Sequence, residues 1–330
     1  MRRRRFVQGV TSAGIAGLLG VRPGPAAAQP PPEITKLRVA RTTSICQAPK
    51  YIAGPLLGTE GFTDVQYVGD PTAAAKTLAS GEAHLGMLFV GPLLIGLDEG
   101  APLKILAGGH LGCLEVLGHE PIRSIRDLRG KRVTVSALGS PAHVFLATIM
   151  AYLGFDPAKD VIVVPLAPRE GMRAFEDKRV DALVGSPPFP QELRARKVGR
   201  VVVNSSVDRP WSQYFCCVVV AHRDFVQRHP VATKRALRAI LKAADICALE
   251  PERAAQQLVT RGFTPRYDYA LQSMRDIPYA KWREYAPEDT VRFYALRLHE
   301  VGMIKSSPQK LLAQGTDWRF LDELKKELKS

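Results

Sequence analysis

Short apolar runs of strand length alternate along most of the chain with stretches whose apolar positions recur every three or four residues. After a proline-rich stretch at 29–35, the pattern predicts strands over 37–41, 65–68, 85–89 and 103–107. Helices are predicted between them: over 48–57, over 73–79 with Pro71 in a first turn, and over 91–97, ending near Gly100. The alternation resumes beyond Cys113. A connector at 122–130 leads to strands at 132–136, 161–164, 182–184, 201–203 and 214–220, with helices at 142–153, 169–176 and 187–196. The last third is helical in period, over 224–249 with Pro230 as a break, then 253–260, 269–276, 289–301 and 318–328. Within the long segment Leu237, Ile240, Leu241 and Ala244 share one face. This order of elements indicates an α/β protein, and about 300 residues exceed what one core usually holds, so two lobes are expected.

The first 28 residues read as an address. Arg2 to Arg5 precede a mildly apolar, uncharged stretch, and Ala26, Ala27 and Ala28 then form a signal-peptidase site, with cleavage expected near Ala28. Arg3-Arg4-Arg5-Phe6-Val7 is similar to the twin-arginine export consensus; a Sec signal with extra arginines is the other reading. Residues 29–35 form a linker. Export predicts a periplasmic protein, and no stretch is long and apolar enough for a membrane span. Residues 1–28 carry five arginines and no acid, so subtracting five from the net charge of +14 leaves +9. The remaining basic residues are interleaved with acids and are not clustered with aromatics, which argues against nucleic acid and leaves attraction to anions open.

No P-loop, HExxH, GxSxG or zinc-ribbon spacing is present, so no catalytic residue, cofactor or metal is assigned. The five cysteines, Cys46, Cys113, Cys216, Cys217 and Cys247, leave at least one unpaired in a monomer.

Several segments carry a family resemblance in order and spacing. They are AAKTLASGEAHLG at 74–86, with His84 where an acid is usual; IRSIRDLRGKRVTV at 122–135; GSPAHVFLATIMAYLG at 139–154; VDALVG at 180–185; and VVAHRDFVQRHP at 219–230. Together they resemble the nitrate/sulfonate/taurine branch of type II periplasmic binding proteins, also described as SsuA/THI5-like or NMT1-like. The resemblance implies a two-lobed α/β fold with a hinge, an interlobe cleft and a helical C-terminal extension on lobe one. It places lobe one at 33–111 plus 222–330 and lobe two at 112–221. It also implies a small-molecule ligand (a sulfonate, carboxylate or pyrimidine-like heterocycle), a partner ABC permease and ATPase at the inner membrane, and a monomer. A THI5-like pyrimidine synthase and a ligand or metalloid sensor presenting to a receptor kinase are the alternatives; export argues against the synthase.

Ligands of open α/β sheets lie beyond the carboxyl ends of the strands. That rule selects Ser44, Cys46 and Gln47 after the first strand, Gly91 after the third, Gly139, Ser140 and His143 at the strongest helix start, Ser186 after a second-lobe strand, and Trp211 and Tyr214 before the returning strand. Ser140 either caps its helix or donates to ligand, and the helix dipole there favours negative charge. Tyr51, Phe89 and Phe189 join Trp211 and Tyr214 as candidate stacking rings, and His110 joins His143 as a candidate anion or pH-sensing group. Ser186, Pro187 and Pro188 stand where the family often has an acid, which argues against recognition of an amine or a protonated ring there. The same topology brings Cys46, Cys113 and Cys216 near the cleft mouth or hinge. They are open to three readings: buried apolar groups, a disulfide, or thiolates for a soft metal or metalloid.

Overall fold

The computed structural model describes residues 29–328. The expected leader, residues 1–28, lies outside the described residues. Among the described residues no regular element precedes Lys36, yet the linker is anchored: the Glu33 carboxylate accepts from the amides of Val231 (2.8 Å) and Ala232 (2.7 Å) at the start of helix Pro230–Leu249.

Among the described residues, ten strands form two five-stranded sheets. They are β1 (Lys36–Ala40), β2 (Asp64–Val68), β3 (Leu85–Phe89), β4 (Leu103–Leu111), β5 (Glu115–Gly118), β6 (Arg132–Val135), β7 (Ile162–Pro165), β8 (Ala182–Gly185), β9 (Arg200–Asn204) and β10 (Phe215–His222). Sheet one has the order β2-β1-β3-β10-β4 and sheet two the order β7-β6-β8-β5-β9. In sheet one, β1, β2 and β3 are parallel, and β10 runs antiparallel to β3 and β4. Sheet two repeats the plan, with β5 as the reversed strand between β8 and β9. Each sheet therefore receives its reversed strand on a passage from the other, and the chain crosses twice, once at 112–114 and once at 205–214.

The crossings are bonded to each other. Ser205 Oγ accepts from the amides of Cys113 (2.9 Å) and Leu114 (2.8 Å). A Cβ on Gly112 would stand 2.0 Å from the Ser205 carbonyl oxygen, so only glycine permits this approach. Among the described residues no helix is long and apolar enough to cross a membrane.

Several expected elements are corrected. The helix expected over 48–57 is two short ones, Pro49–Ile52 and Gly54–Thr59, broken before Pro55. Pro71 lies outside its helix, which begins at Ala74. Pro187 and Pro188 precede the helix Phe189–Ala195. The long C-terminal segment is two helices, Arg223–Arg228 and Pro230–Leu249, parted at Pro230. Strand β5 and helix Pro308–Gly315 are additions. β4 runs past Gly108 and Gly109 to Leu111, because those glycines admit the Phe215 ring and the Cys217 backbone.

Candidate functional site

The carboxyl edge of sheet one gathers the thiols. Cys46 follows β1, His110 lies near the end of β4, Cys113 on the first crossing, and Cys217 near the start of β10; all four are buried. Their ligating atoms all lie within 4.8 Å of one another. The Cys46 and Cys217 sulfurs are 3.9 Å apart, and Cys113 and Cys216 are 3.0 Å apart. All are free thiols. Pairing of β10 with β4 shifts register around Cys217. A regular strand sends consecutive side chains to opposite faces, and this irregularity lets both Cys216 and Cys217 approach Cys113.

The remaining polar groups of this edge are fixed from behind. His110 Nδ1 lies 2.9 Å from the Leu111 carbonyl, which can only accept, so Nδ1 donates; burial opposes charge on the ring, yet Cys217 and Cys46 beside it hold its pKa well above the ordinary imidazole value. Nε2 is buried and has no hydrogen-bond partner. Tyr279 donates to the Cys46 carbonyl at 3.1 Å. Lys50 is fully buried and donates to Ala40 O (2.9 Å), Thr42 Oγ1 (2.8 Å) and Gln47 Oε1 (3.2 Å). No carboxylate pairs with it among the described residues, and burial pushes its ammonium down to about 7, with Cys217 and Cys46 partly opposing the shift. Burial resists ionisation at Cys216, yet the thiols of Cys113 and Cys217 outweigh it and pull Cys216 below the usual thiol range; burial leaves the proton on Cys113.

Ser44, Cys46 and Gln47 join this cluster: Ser44 Oγ lies 3.0 Å from Cys46 Sγ, and Gln47 Nε2 is 3.7 Å from Cys217 Sγ. Gly91 is packed against the facing unit, since a Cβ there would lie 2.6 Å from Val144 Cγ1 on helix Pro141–Tyr152. Ser140 caps that helix, accepting from the His143 amide at 3.3 Å, while His143 Nδ1 accepts from the Gly139 amide at 3.0 Å. Gly139 holds φ +75, a left-handed value suited to glycine. Burial lowers the His143 pKa. Trp211 packs edge-on against Phe145, Tyr152 and Phe293, and Tyr214 stacks on Phe293 at 4.0 Å. Tyr51 belongs to a core stack with Phe263. Ser186 stands apart, its carbonyl accepting from Phe189 N at the turn after β8.

A second joint links the sheets' helices. Arg194, on helix Phe189–Ala195, pairs with Asp276 on helix Tyr267–Asp276 and lies 3.4 Å from Glu115 of β5. Burial raises the Glu115 carboxyl to about 7 despite Arg194.

Between the carboxyl edge of sheet one and helix Pro141–Tyr152 lies a cavity of about 10 Å³, lined by Gly91, Pro141, Val144, Phe145, Cys216 and Tyr294 among others. The architecture has solved counterparts. The periplasmic nitrate-binding protein NrtA from Synechocystis PCC 6803 superposes with a TM-score of 0.74 at 16% identity, covering 91% of this chain and 90% of that one. The periplasmic sulfonate-binding protein SsuA from Methylobacillus flagellatus KT gives a TM-score of 0.68 at 17% identity, covering 90% and 95%. At these identities the likeness establishes the periplasmic-binding-protein fold. In sequence, the chain is 27% identical over 179 residues to the taurine-binding periplasmic protein of Escherichia coli (strain K12), covering 54% of this chain and 55% of that protein, so the match spans about half of the relative's length. The NMT1-like family pattern matches residues 60–261, more than half of the 330 residues. The chain belongs to the NMT1-like family.

Proposed function

We propose that this protein is the periplasmic solute-binding component of an ABC importer. It captures a small organic anion between two lobes, 33–111 with 222–330 and 112–221, and presents it as a monomer to a membrane permease and its ATPase. The observation that carries the reading is the doubled sheet joined by two crossings, with Gly91 of one unit meeting Val144 of the other. A hinge made of two short strands of chain permits the units to part and close. The cavity of about 10 Å³ holds at most one water, so a solute of several heavy atoms enters only when the lobes separate. The start of helix Pro141–Tyr152, with Gly139 and Ser140 before it, favours negative charge at the cleft. The names of the nitrate-, sulfonate- and taurine-binding relatives agree with an anion.

Thermal unfolding with taurine, alkanesulfonates, nitrate and small carboxylates tests the reading. A ligand at a hundredfold excess over Kd should add about 2.7 kcal/mol of stability. Small-angle scattering should show the protein becoming more compact with the same ligand. A panel with no stabilising member and no change in solution dimensions would sink it.

A further inference from the structure

We propose that Cys46, Cys113, Cys217 and His110 bind a thiophilic d10 cation, Zn(II) or Cu(I), at the carboxyl edge of sheet one. The inference stands whether or not the importer reading does, because it uses only these side chains. Tetrahedral coordination with metal–sulfur bonds near 2.3 Å and metal–nitrogen bonds near 2.0 Å puts neighbouring ligand atoms about 3.5–3.8 Å apart. The Cys46 and Cys217 sulfurs already stand 3.9 Å apart, and no pair in the set exceeds 4.8 Å. An inward movement of side chains by an ångström or less completes the shell.

A second observation points the same way. His110 holds its Nδ1 proton on the Leu111 carbonyl and leaves Nε2 buried with no partner. A histidine oriented through one nitrogen by a backbone carbonyl, with the other nitrogen bare, has the arrangement of a metal ligand and its outer support. In a packed core an unmet polar atom is a cost, and a cation removes it. Three thiolates around a d10 ion carry net negative charge, and Lys50, buried without a carboxylate, lies behind Gln47 to offset it. Cys216 supplies a further thiol 3.0 Å from Cys113, able to replace a ligand or to receive the ion in transit. Cys247 is equally buried but does not belong to the cluster, which makes it the internal control.

The ligands come from three separated segments, at 46, 110–113 and 217, so no single motif spacing betrays the site. It also differs from a structural zinc ribbon in position: it sits where the crossing at 112–114 meets the start of β10, and a bound ion would tie both passages between the sheets to the loop after β1.

The test uses tag-free protein, reduced, freed of metal and handled without oxygen. Co(II) serves as the optical probe, and Zn(II) and Cu(I) are added separately against a competing chelator. One ion per chain is expected after dialysis, with thiolate-to-cobalt charge-transfer bands and intense tetrahedral visible bands. Cys46→Ser, Cys217→Ser and His110→Gln should each weaken binding by more than the roughly ten- to hundredfold expected for an outer-support change, while Cys247→Ser leaves it unchanged. Tight binding of Zn(II) or of Cu(I) alone supports the proposal and identifies the cargo or cofactor. The spectrum of the unmutated protein decides the matter even if a core variant fails to fold. No retained ion, cobalt bands lacking thiolate character, or binding insensitive to Cys46 and Cys217 would overturn it. So would anaerobically isolated protein in which a thiol count shows Cys113 and Cys216 already joined as a disulfide.

Discussion

The two edges of sheet one carry similar side chains in opposite surroundings. At the carboxyl edge His110, Cys46, Cys217 and Lys50 are sealed from solvent. At the amino edge a pocket of about 310 Å³ is lined by Arg38, His84, His222, Asp224, Arg228 and His229, among others. Two of the three histidines lining the open pocket have local employment: His84 Nδ1 accepts from the Arg38 amide and His222 Nδ1 accepts from the Asp224 amide, capping helix Arg223–Arg228. His229 Nδ1 is buried without a partner, but its pocket is flanked by two guanidinium groups, which repel a cation. The sealed edge couples an unmet imidazole nitrogen to several thiols. Residue type alone therefore says little; what distinguishes a site is polar capacity left unused where water cannot satisfy it.

Glycine substitutions break the comparison most sharply. Gly112→Ala drives a Cβ to 2.0 Å from the Ser205 carbonyl and must move backbone on a crossing. A loss of about 3 kcal/mol or more is expected in chemical denaturation. Gly81→Ala, in the open pocket, meets nothing closer than His222 Nε2 at 3.9 Å and costs only its left-handed φ of +77, about 1 kcal/mol. Equal losses would mean that the crossings are less tightly held than their hydrogen bonds imply. Next in size is Lys50→Met. It keeps the bulk of the side chain but strips donors from Ala40 O, Thr42 Oγ1 and Gln47 Oε1, with relief from not burying a charge. A net loss of about 2 kcal/mol is expected, against under about 0.5 kcal/mol for Arg228→Met on the exposed side of the other pocket. A neutral Lys50→Met would show that the sealed edge does not depend on the ammonium.

How far each edge was legible in sequence follows from the same contrast. The strand at 85–89 and the helix opening at Ser140-Pro141 were plain, because a short apolar run, a cap and a first-turn proline are local signals. β5 was missed because four residues beginning with Glu115 carry neither length nor alternation, and its pairing with β8 and β9 is wholly non-local. Topology brought Cys46, Cys113 and Cys216 toward the cleft, but Cys217 and His110 enter through the bulge in β10 and the extension of β4 past two glycines. No spacing rule encodes either. Ser140 and His143 were readable as a helix start, and the structure shows them bonded within that start. Trp211 and Tyr214 were chosen as stacking rings, and their partner is Phe293, on a helix distant in sequence.

The smallest effect expected is a pH dependence confined to the open pocket. Burial lowers the His84 pKa from the ordinary 6.5 to about 4, assisted by Arg38, His229 and His222. Its ring also stacks on Phe225 at 4.8 Å. Above pH 6.5 the ring is neutral in both folded and unfolded chains, and stability does not depend on it. Between 6.5 and 4 the unfolded chain takes up a proton that the folded chain refuses, so stability falls as pH falls, and below 4 the loss is complete. The ring is only partly buried, so screening reduces the full linkage energy to about 1 kcal/mol. Denaturant unfolding at pH 7 and pH 4.5 should show the wild type losing about that much more than His84→Gln. Equal losses would mean that the ring titrates near its ordinary value, and that the amino-edge pocket is wetter and more indifferent to charge than the contrast with the thiol edge requires.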